Sequence, residues 1–306
     1  MTWVLADVGG TNARLALARD GRIDANSIAR YPGDDFPTFD AVLERFLADR
    51  GQPRPDAVCV AVAGPVSGGR ARLTNRDWSF AEDGLAGLTG AARVRLINDM
   101  TALGYATPSL TGDGVTLLRP VADGRARNGQ SLVVNAGTGF NVCAVHARPG
   151  GPVICLEAEE GHTHLPANIM AKLVAEVGPK AHSVFPSTEE AFAGRGLSRL
   201  HALRGGGAMR AEDIVAAAPR DPLAETTCTL FAGLLGLMCR ELALRFMPMD
   251  GMFLAGSVAR SMAARMPAFQ AGLLAEPYMR HIPEATPVLL IRDDMAALQG
   301  CLAALA

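Results

Sequence analysis

The sequence has no C-x-x-C pair. Its six cysteines (Cys59, Cys143, Cys155, Cys228, Cys239 and Cys301) are widely scattered. That excludes dithiol redox motifs and zinc ribbons and predicts reduced, mostly buried thiols. Net charge is also nearly absent: Lys+Arg 29 against Asp+Glu 31 leave -2. This balance gives no overall attraction to nucleic acid or to an anionic membrane. With basic residues scattered and no helix-turn-helix extension, no nucleic-acid partner is expected. The N-terminus lacks the basic leader and long apolar run of a signal peptide, because Asp7 interrupts its apolar stretch. The most apolar run, Leu230 to Cys239, is about half a membrane span, and its charged flanks suit a buried helix. A cytoplasmic protein without a membrane partner is expected. What remains is a 306-residue chain, 49% apolar and 20% charged, long enough for one large or two ordinary domains with a real core.

The pattern predicts alternating strands and helices. Val4 to Ala6 is a short strand, a Gly-rich turn follows, and Leu15 and Leu17 alternate with Ala in a second strand. Asp20-Gly21 is a hairpin dipeptide. Thr38 suits the N-cap of a helix whose apolar face is Phe39, Val42, Leu43, Phe46 and Leu47. Val58 to Ala63 and Val94 to Ile97 read as buried strands, with Asn98-Asp99 at the end of the latter and a short helix from Met100 toward Pro108. The segment from Thr107 to Gln130, rich in Gly, Pro and Asp, reads as a linker. The opening pattern then returns: strand Leu132 to Val134, turn Asn135 to Gly139, strand Val142 to His146. A long helix from about Leu223 to Met247, a strand at Met252 to Ala255, and a last strand and helix at Pro287 to Ile291 and Met295 to Leu305 complete an α/β layered chain.

Three segments carry chemistry. The first is Asp7 to Arg14. No G-x-x-x-x-G-K-[ST] occurs, which argues against a P-loop NTPase. Gly9-Gly10 instead lets backbone approach an anion, with Thr11 and Asn12 as neutral donors. Asp7 cannot bind phosphate directly but could hold a Mg²⁺-bound water. Read alone, the glycines could equally be a plain hairpin turn. The second turn, Gly137-Thr138-Gly139, lacks the third glycine of a dinucleotide fingerprint and runs into a strand. The second segment is Asn98-Asp99, where ligands gather at strand carboxyl ends. Asp99 is there either a helix N-cap or a general base. The third is Cys155 to His164. Glu159, His162 and His164 could be metal ligands together with Cys155, but no H-E-x-x-H or Cys pair accompanies them. Carboxylate and imidazole also suit the hydroxyls of a polyol. Glu189, ahead of Gly194 to Leu197, reads on its own as a helix N-terminal charge.

In this order the segments resemble the bacterial glucokinase family, within the hexokinase/actin/Hsp70-like ATPase superfamily. The landmarks are Asp7 to Arg14, Leu73 to Trp78, Ile97 to Ala102, Ala136 to Gly139, Glu159 with His162, Glu189 ahead of Gly194 to Leu197, and Ala255-Gly256. They span nearly the whole chain, and the Cys-rich zinc motif of the related repressor/kinase group is absent. The resemblance implies a two-lobed actin-like ATPase (ribonuclease H-like) α/β fold with a cleft between a small and a large domain. The small domain would comprise residues 1–106 and 295–306, the large one 107–294. It implies ATP and Mg²⁺ as cofactors, a hexose substrate phosphorylated at its 6-hydroxyl, with glucose preferred, and a homodimer. Asp99 would be the general base, and Asn98, Glu159, His162 and Glu189 would hold sugar hydroxyls. The ATP phosphates would meet Asp7, Gly9, Gly10, Thr11, Asn12, Arg14, Gly137, Thr138 and Gly139, and the adenosine Gly256 and Ser257. No direct protein ligation of a metal is expected. The chain departs from the family at Asn135, where Gly is usual, and at Phe140-Asn141, where Leu-Gly is usual. Glu157 to His162 replaces Pro-Gly-Glu-Gly-Gly-His, and Gly256-Ser257 replaces Gly-Gly. The added Glu157 and Glu160 would need a cationic partner if they faced the sugar. Two other readings stay open: a kinase for another hexose or an amino sugar, and a sugar-binding regulatory protein with reduced catalysis.

Overall fold

The computed structural model describes residues 1–73, 76–122 and 127–306. Thr74 and Asn75, within the Leu73 to Trp78 landmark, lie outside the described residues, as do residues 123–126 of the expected linker. Two compact units form: residues 1–110 with 293–306, and residues 111–292.

The first unit is built on a six-stranded sheet. Strands β1 (Thr2–Val8), β2 (Asn12–Arg19), β3 (Arg22–Ile23), β4 (Ala29–Pro32) and β5 (Ala57–Val62) enter first. The hairpin β6 (Val66–Ser67), β7 (Arg70–Arg72) and β8 (Ser79–Ala81) forms a small separate sheet, and β9 (Arg93–Asn98) closes the main one. The order is β3-β2-β1-β5-β9, with β4 also paired to β2. β1 and β2 are antiparallel, whereas β1, β5 and β9 run parallel. All six residues of β5 are buried, as expected of a parallel strand covered on both faces. Alternation along the strands sorts the two faces. Val4, Ala6, Val58 and Val60 meet Phe39, Val42, Leu43 and Phe46 of helix α1 (Phe39–Ala48), while Leu5, Cys59, Ala61 and Ile97 meet Leu298, Cys301 and Leu305 of the C-terminal helix Ala296–Leu305. Thr38 caps α1 by accepting the Ala41 N–H. Helix α2 (Glu82–Thr89) packs beside β9, and helix α3 (Asp99–Ala106) follows β9 directly. The C-terminal helix lies so close to α3 that a Cβ at Gly300 would sit 1.7 Å from the Ala102 carbonyl oxygen, so only glycine permits the crossing.

The second unit repeats the theme. Its strands are β10 (Val115–Arg119), β11 (Gln130–Ala136), β12 (Phe140–His146), β13 (Ile154–Glu157), β14 (Gly251–Ala255) and β15 (Val288–Ile291), in the order β10-β15-β14-β11-β12-β13. β11 and β12 form an antiparallel hairpin, and β11, β14 and β15 run parallel. The linker expectation for residues 107–130 is corrected by β10, which pairs antiparallel to β15. Helix Pro222–Phe246, capped by Asp221, supplies much of the core through Phe231, Leu234, Leu235, Met238 and Leu242. It is long and apolar enough to cross a bilayer, but 72% of its most apolar window is buried in the unit. All six cysteines are free thiols, and only Cys155 is even partly exposed.

Candidate active site

The parallel register aligns three strand ends in the first unit. Val8 pairs with Val62, and Val62 with Asn98. The turn after β1 and Asn98-Asp99 after β9 therefore open on the same edge of the sheet, two strand spacings or about 10 Å apart. This is the edge where ligands gather in open α/β sheets.

The first turn is built to stay open. Gly9 N–H donates to the Asn12 carbonyl at 3.0 Å, while the Gly10 and Thr11 N–H groups find no partner among the described residues. Neither Gly9 nor Gly10 has a positive φ, and a Cβ at Gly9 would meet nothing nearer than the Asn12 oxygen at 3.8 Å. The backbone does not demand these glycines. What they preserve is space in an open pocket of about 270 Å³, lined by Asp7, Gly9, Gly10, Thr11, Asn12, Arg14 and Arg30. Such a volume fits the phosphate end of a nucleotide better than the whole molecule. Arg14 and Arg30 stand directly opposite each other on β2 and β4. Arg14 donates to the Asp294 carbonyl, and Arg30 is exposed without a partner among the described residues. Two facing guanidinium groups repel each other and suit an anion. Asp7 is only partly covered from solvent, yet desolvation raises its carboxyl pKa, with Arg14 pulling the other way. Arg76 fixes the turn from outside. It donates to the Gly10 carbonyl at 3.2 Å and the Gly33 carbonyl at 2.8 Å, and pairs with Asp34.

At the other strand end the cap is Asn98, not Asp99. Asn98 Oδ1 accepts the Met100 N–H at 2.9 Å and its Nδ2 donates to the Gly64 carbonyl at 3.0 Å. Asp99 is the first residue of α3, where the exposed N–H groups of the helix favour a negative charge.

The second unit gathers the rest. Gly137 N–H donates to the Gly139 carbonyl at 2.9 Å, and Gly194 N–H to the Gly137 carbonyl at 2.8 Å. Glu189, on the short helix Thr188–Phe192, lies against this turn. Its Oε2 accepts the Phe140 N–H at 3.0 Å, and a Cβ at Gly139 would come within 2.6 Å of the same oxygen. Arg195 Nη2 donates to Glu189 Oε1 at 2.5 Å and Nη1 to the Thr138 carbonyl at 3.0 Å. Desolvation would raise the Glu189 pKa, but the Arg195 hydrogen bond, the Phe140 N–H and the charges of Arg195 and His162 outweigh it, and the pKa is lowered. His162 thus acts on Glu189 and also stands 4.0 Å from Glu159. Asn141 orders that loop: its Nδ2 donates to Glu159 Oε2 at 3.4 Å and its Oδ1 accepts the Glu160 N–H at 3.0 Å. Glu160 is buried and ion-paired with Arg245 of the long helix, so its extra charge has its cation. Gly256, with φ 92°, ends β14 beside β11, where a Cβ would sit 2.3 Å from the Ala136 carbonyl oxygen. Each unit therefore clusters its own share of the expected residues. The roles of Arg30, Arg76 and Arg195 were not anticipated. Arg76 and Arg195 lie inside landmark segments, and Arg30 is betrayed only by the register that sets it opposite Arg14.

Known proteins share both the sequence and this architecture. The chain is 30% identical to a glucokinase of Cupriavidus pinatubonensis over 318 aligned positions, covering 99% of this chain and 92% of that one. The crystal structure of a glucokinase from an Antarctic psychrotroph superposes with a TM-score of 0.84 at 27% identity, covering 99% of this chain and 98% of that one. A ROK-family glucokinase from Streptomyces griseus, solved with glucose and AMPPNP, shares the fold at 20% identity and a TM-score of 0.64, covering 100% and 99%. The sequence profile described as Glucokinase matches residues 4–306, and the chain belongs to the glucokinase family.

Proposed function

We propose that the protein is an ATP-dependent hexose kinase that phosphorylates the 6-hydroxyl of glucose. The observation that carries this reading is the shared sheet edge of the first unit, where an open anion pocket and Asp99 follow parallel strands two spacings apart. The pocket fits phosphate oxygens through the Gly10 and Thr11 N–H groups, Asn12, Arg14 and Arg30. ATP with Mg²⁺ supplies the transferable phosphoryl group and neutralises its charge. Asp7 would hold a metal-bound water rather than the phosphate. Asp99 accepts the proton of the sugar 6-hydroxyl as its oxygen bonds to phosphorus and the phosphorus–oxygen bond to ADP breaks. Asn98 keeps one N–H and one lone pair beyond its capping bonds, enough for a sugar hydroxyl. Glu159, His162 and Glu189 hold the remaining hydroxyls, and Glu189 is kept ionised as an acceptor. Gly137, Thr138 and Gly139 face phosphate, and Gly256 and Ser257 border the adenosine. We assign the two units as the small and large lobes of a cytoplasmic homodimer.

The test is ADP release across a panel of hexoses and amino sugars with ATP and Mg²⁺. Glucose should give the highest kcat/KM. Faster turnover of another sugar removes glucose as the substrate, and no turnover of any sugar removes the kinase reading.

A further inference from the structure

The sugar-binding carboxylate and the second glycine turn are mechanically one assembly. Glu189 rests on Gly139, where an added Cβ would come within 2.6 Å of its Oε2, and accepts from the Phe140 N–H. Arg195 bridges the same pieces from the other side. Its Nη2 reaches Glu189 Oε1 at 2.5 Å, its Nη1 the Thr138 carbonyl at 3.0 Å, and its Nε Glu190 Oε1 at 2.8 Å. Arg199 pairs with the remaining oxygen of Glu190, which holds the guanidinium plane in place. Each Glu189 oxygen accepts one bond from the chain and keeps a lone pair for a hydroxyl.

The Thr138 carbonyl matters because of what shares its peptide plane. In a trans peptide the C=O and the following N–H point in opposite directions. Pinning the Thr138 oxygen to Arg195 therefore aims the Gly139 N–H away from Arg195, and that N–H has no partner among the described residues. A ligand that settles Glu189 settles Arg195, and with it the direction of a phosphate-facing donor.

We infer that Arg195 is a positioning residue that ties the sugar-binding carboxylate to the phosphate turn, so that sugar and nucleotide each strengthen the binding of the other. The inference rests on the proposed kinase reading. Thermodynamic linkage makes the effect reciprocal. A lysine keeps the positive charge beside Glu189, but a single ammonium cannot span the two acceptors as a planar fork does.

Calorimetric titration of glucose with and without AMPPNP and Mg²⁺ reads the coupling directly. Wild type should bind glucose about tenfold more tightly with nucleotide present, within the usual range for coupled sites. Arg195→Ala should bring that ratio close to one while still binding nucleotide alone, which also shows that it folds. Arg195→Lys should bind glucose nearly as well as wild type without nucleotide and still lose most of the ratio. A wild-type ratio near one, or an unchanged ratio in either variant, overturns the tether alone. Wild-type protein that binds neither ligand overturns the tether together with the kinase reading.

Discussion

The two units carry the same strand pattern, an antiparallel hairpin beside two further parallel strands, and place a glycine turn at the same point of it. The turns are nevertheless opposite in kind. The first is open: neither glycine has a positive φ, a Cβ at Gly9 has room, the Gly10 and Thr11 N–H groups find no partner among the described residues, and Arg14 and Arg30 stand opposite each other on the adjoining strands. The second is filled by the protein, with Glu189 against Gly139 and Arg195 on the Thr138 carbonyl. One turn leaves two backbone donors without partners among the described residues. The other has invested part of its hydrogen-bonding capacity in orienting the carboxylate beside it.

If the first unit supplies the chemistry, Asp99→Asn should show the largest effect. Steady-state kinetics should give a kcat lower by roughly 10²–10⁴ with little change in glucose affinity; a near-normal kcat would remove Asp99 as the base. Alanine at each turn then separates the two. Gly139→Ala forces a methyl into Glu189, and should cost about 1–3 kcal/mol in denaturant unfolding and weaken glucose binding. Gly9→Ala has room in the folded chain, so its stability should be near wild type while the KM for ATP rises. Equal loss of stability in both variants would break the comparison. A smaller effect is expected at Arg30→Ala: a several-fold higher KM for ATP, an unchanged KM for glucose, and a stability gain of about 0.2–1 kcal/mol from relieved repulsion.

The smallest effects are pH-dependent and of opposite sign. The Asp7 pKa is raised in the folded state by desolvation, so its ionisation costs stability as pH climbs above the ordinary 3.8. Asp7→Asn should therefore raise Tm at pH 7, with the gain vanishing below that value. The Glu189 pKa is lowered, so its contribution is present above 4.5 and lost as pH falls through the folded-state value. Glu189→Gln should lower Tm at pH 7, with the deficit closing in acid. Melting curves of both variants from pH 3 to pH 8 check the two signs together.

Elements set by local pattern were legible from sequence. Thr38 and the spacing of Phe39, Val42, Leu43 and Phe46 give α1 with its cap, and Asp221-Pro222 starts the long helix. β10 was not, because a five-residue edge strand between glycine-rich stretches has too short a period to stand out, and its partner β15 lies far along the chain. At the site, residue types pointed to phosphate and polyol chemistry, but their supports are long-range. Arg76 reaches Gly10 across 66 residues, and Arg245 reaches Glu160 across 85. No local pattern encodes such pairs. The landmarks that carried the resemblance named Arg76 and Arg195 without revealing that each holds a glycine turn by its backbone carbonyl.

The C-terminal helix that closes one face of the first sheet also sets an order of assembly. Cys301 Sγ touches the Ala6 carbonyl across 295 residues, and Arg14, at the pocket, is held by the Asp294 carbonyl. During synthesis at about 5–20 residues per second, that helix leaves the ribosome roughly 10–40 s after Leu110. The second unit is continuous in the chain and can be finished by then. The pocket after β1 is thus completed only after the chain of the second unit has been made, and the sheet face beneath that helix stays uncovered on the nascent chain until then.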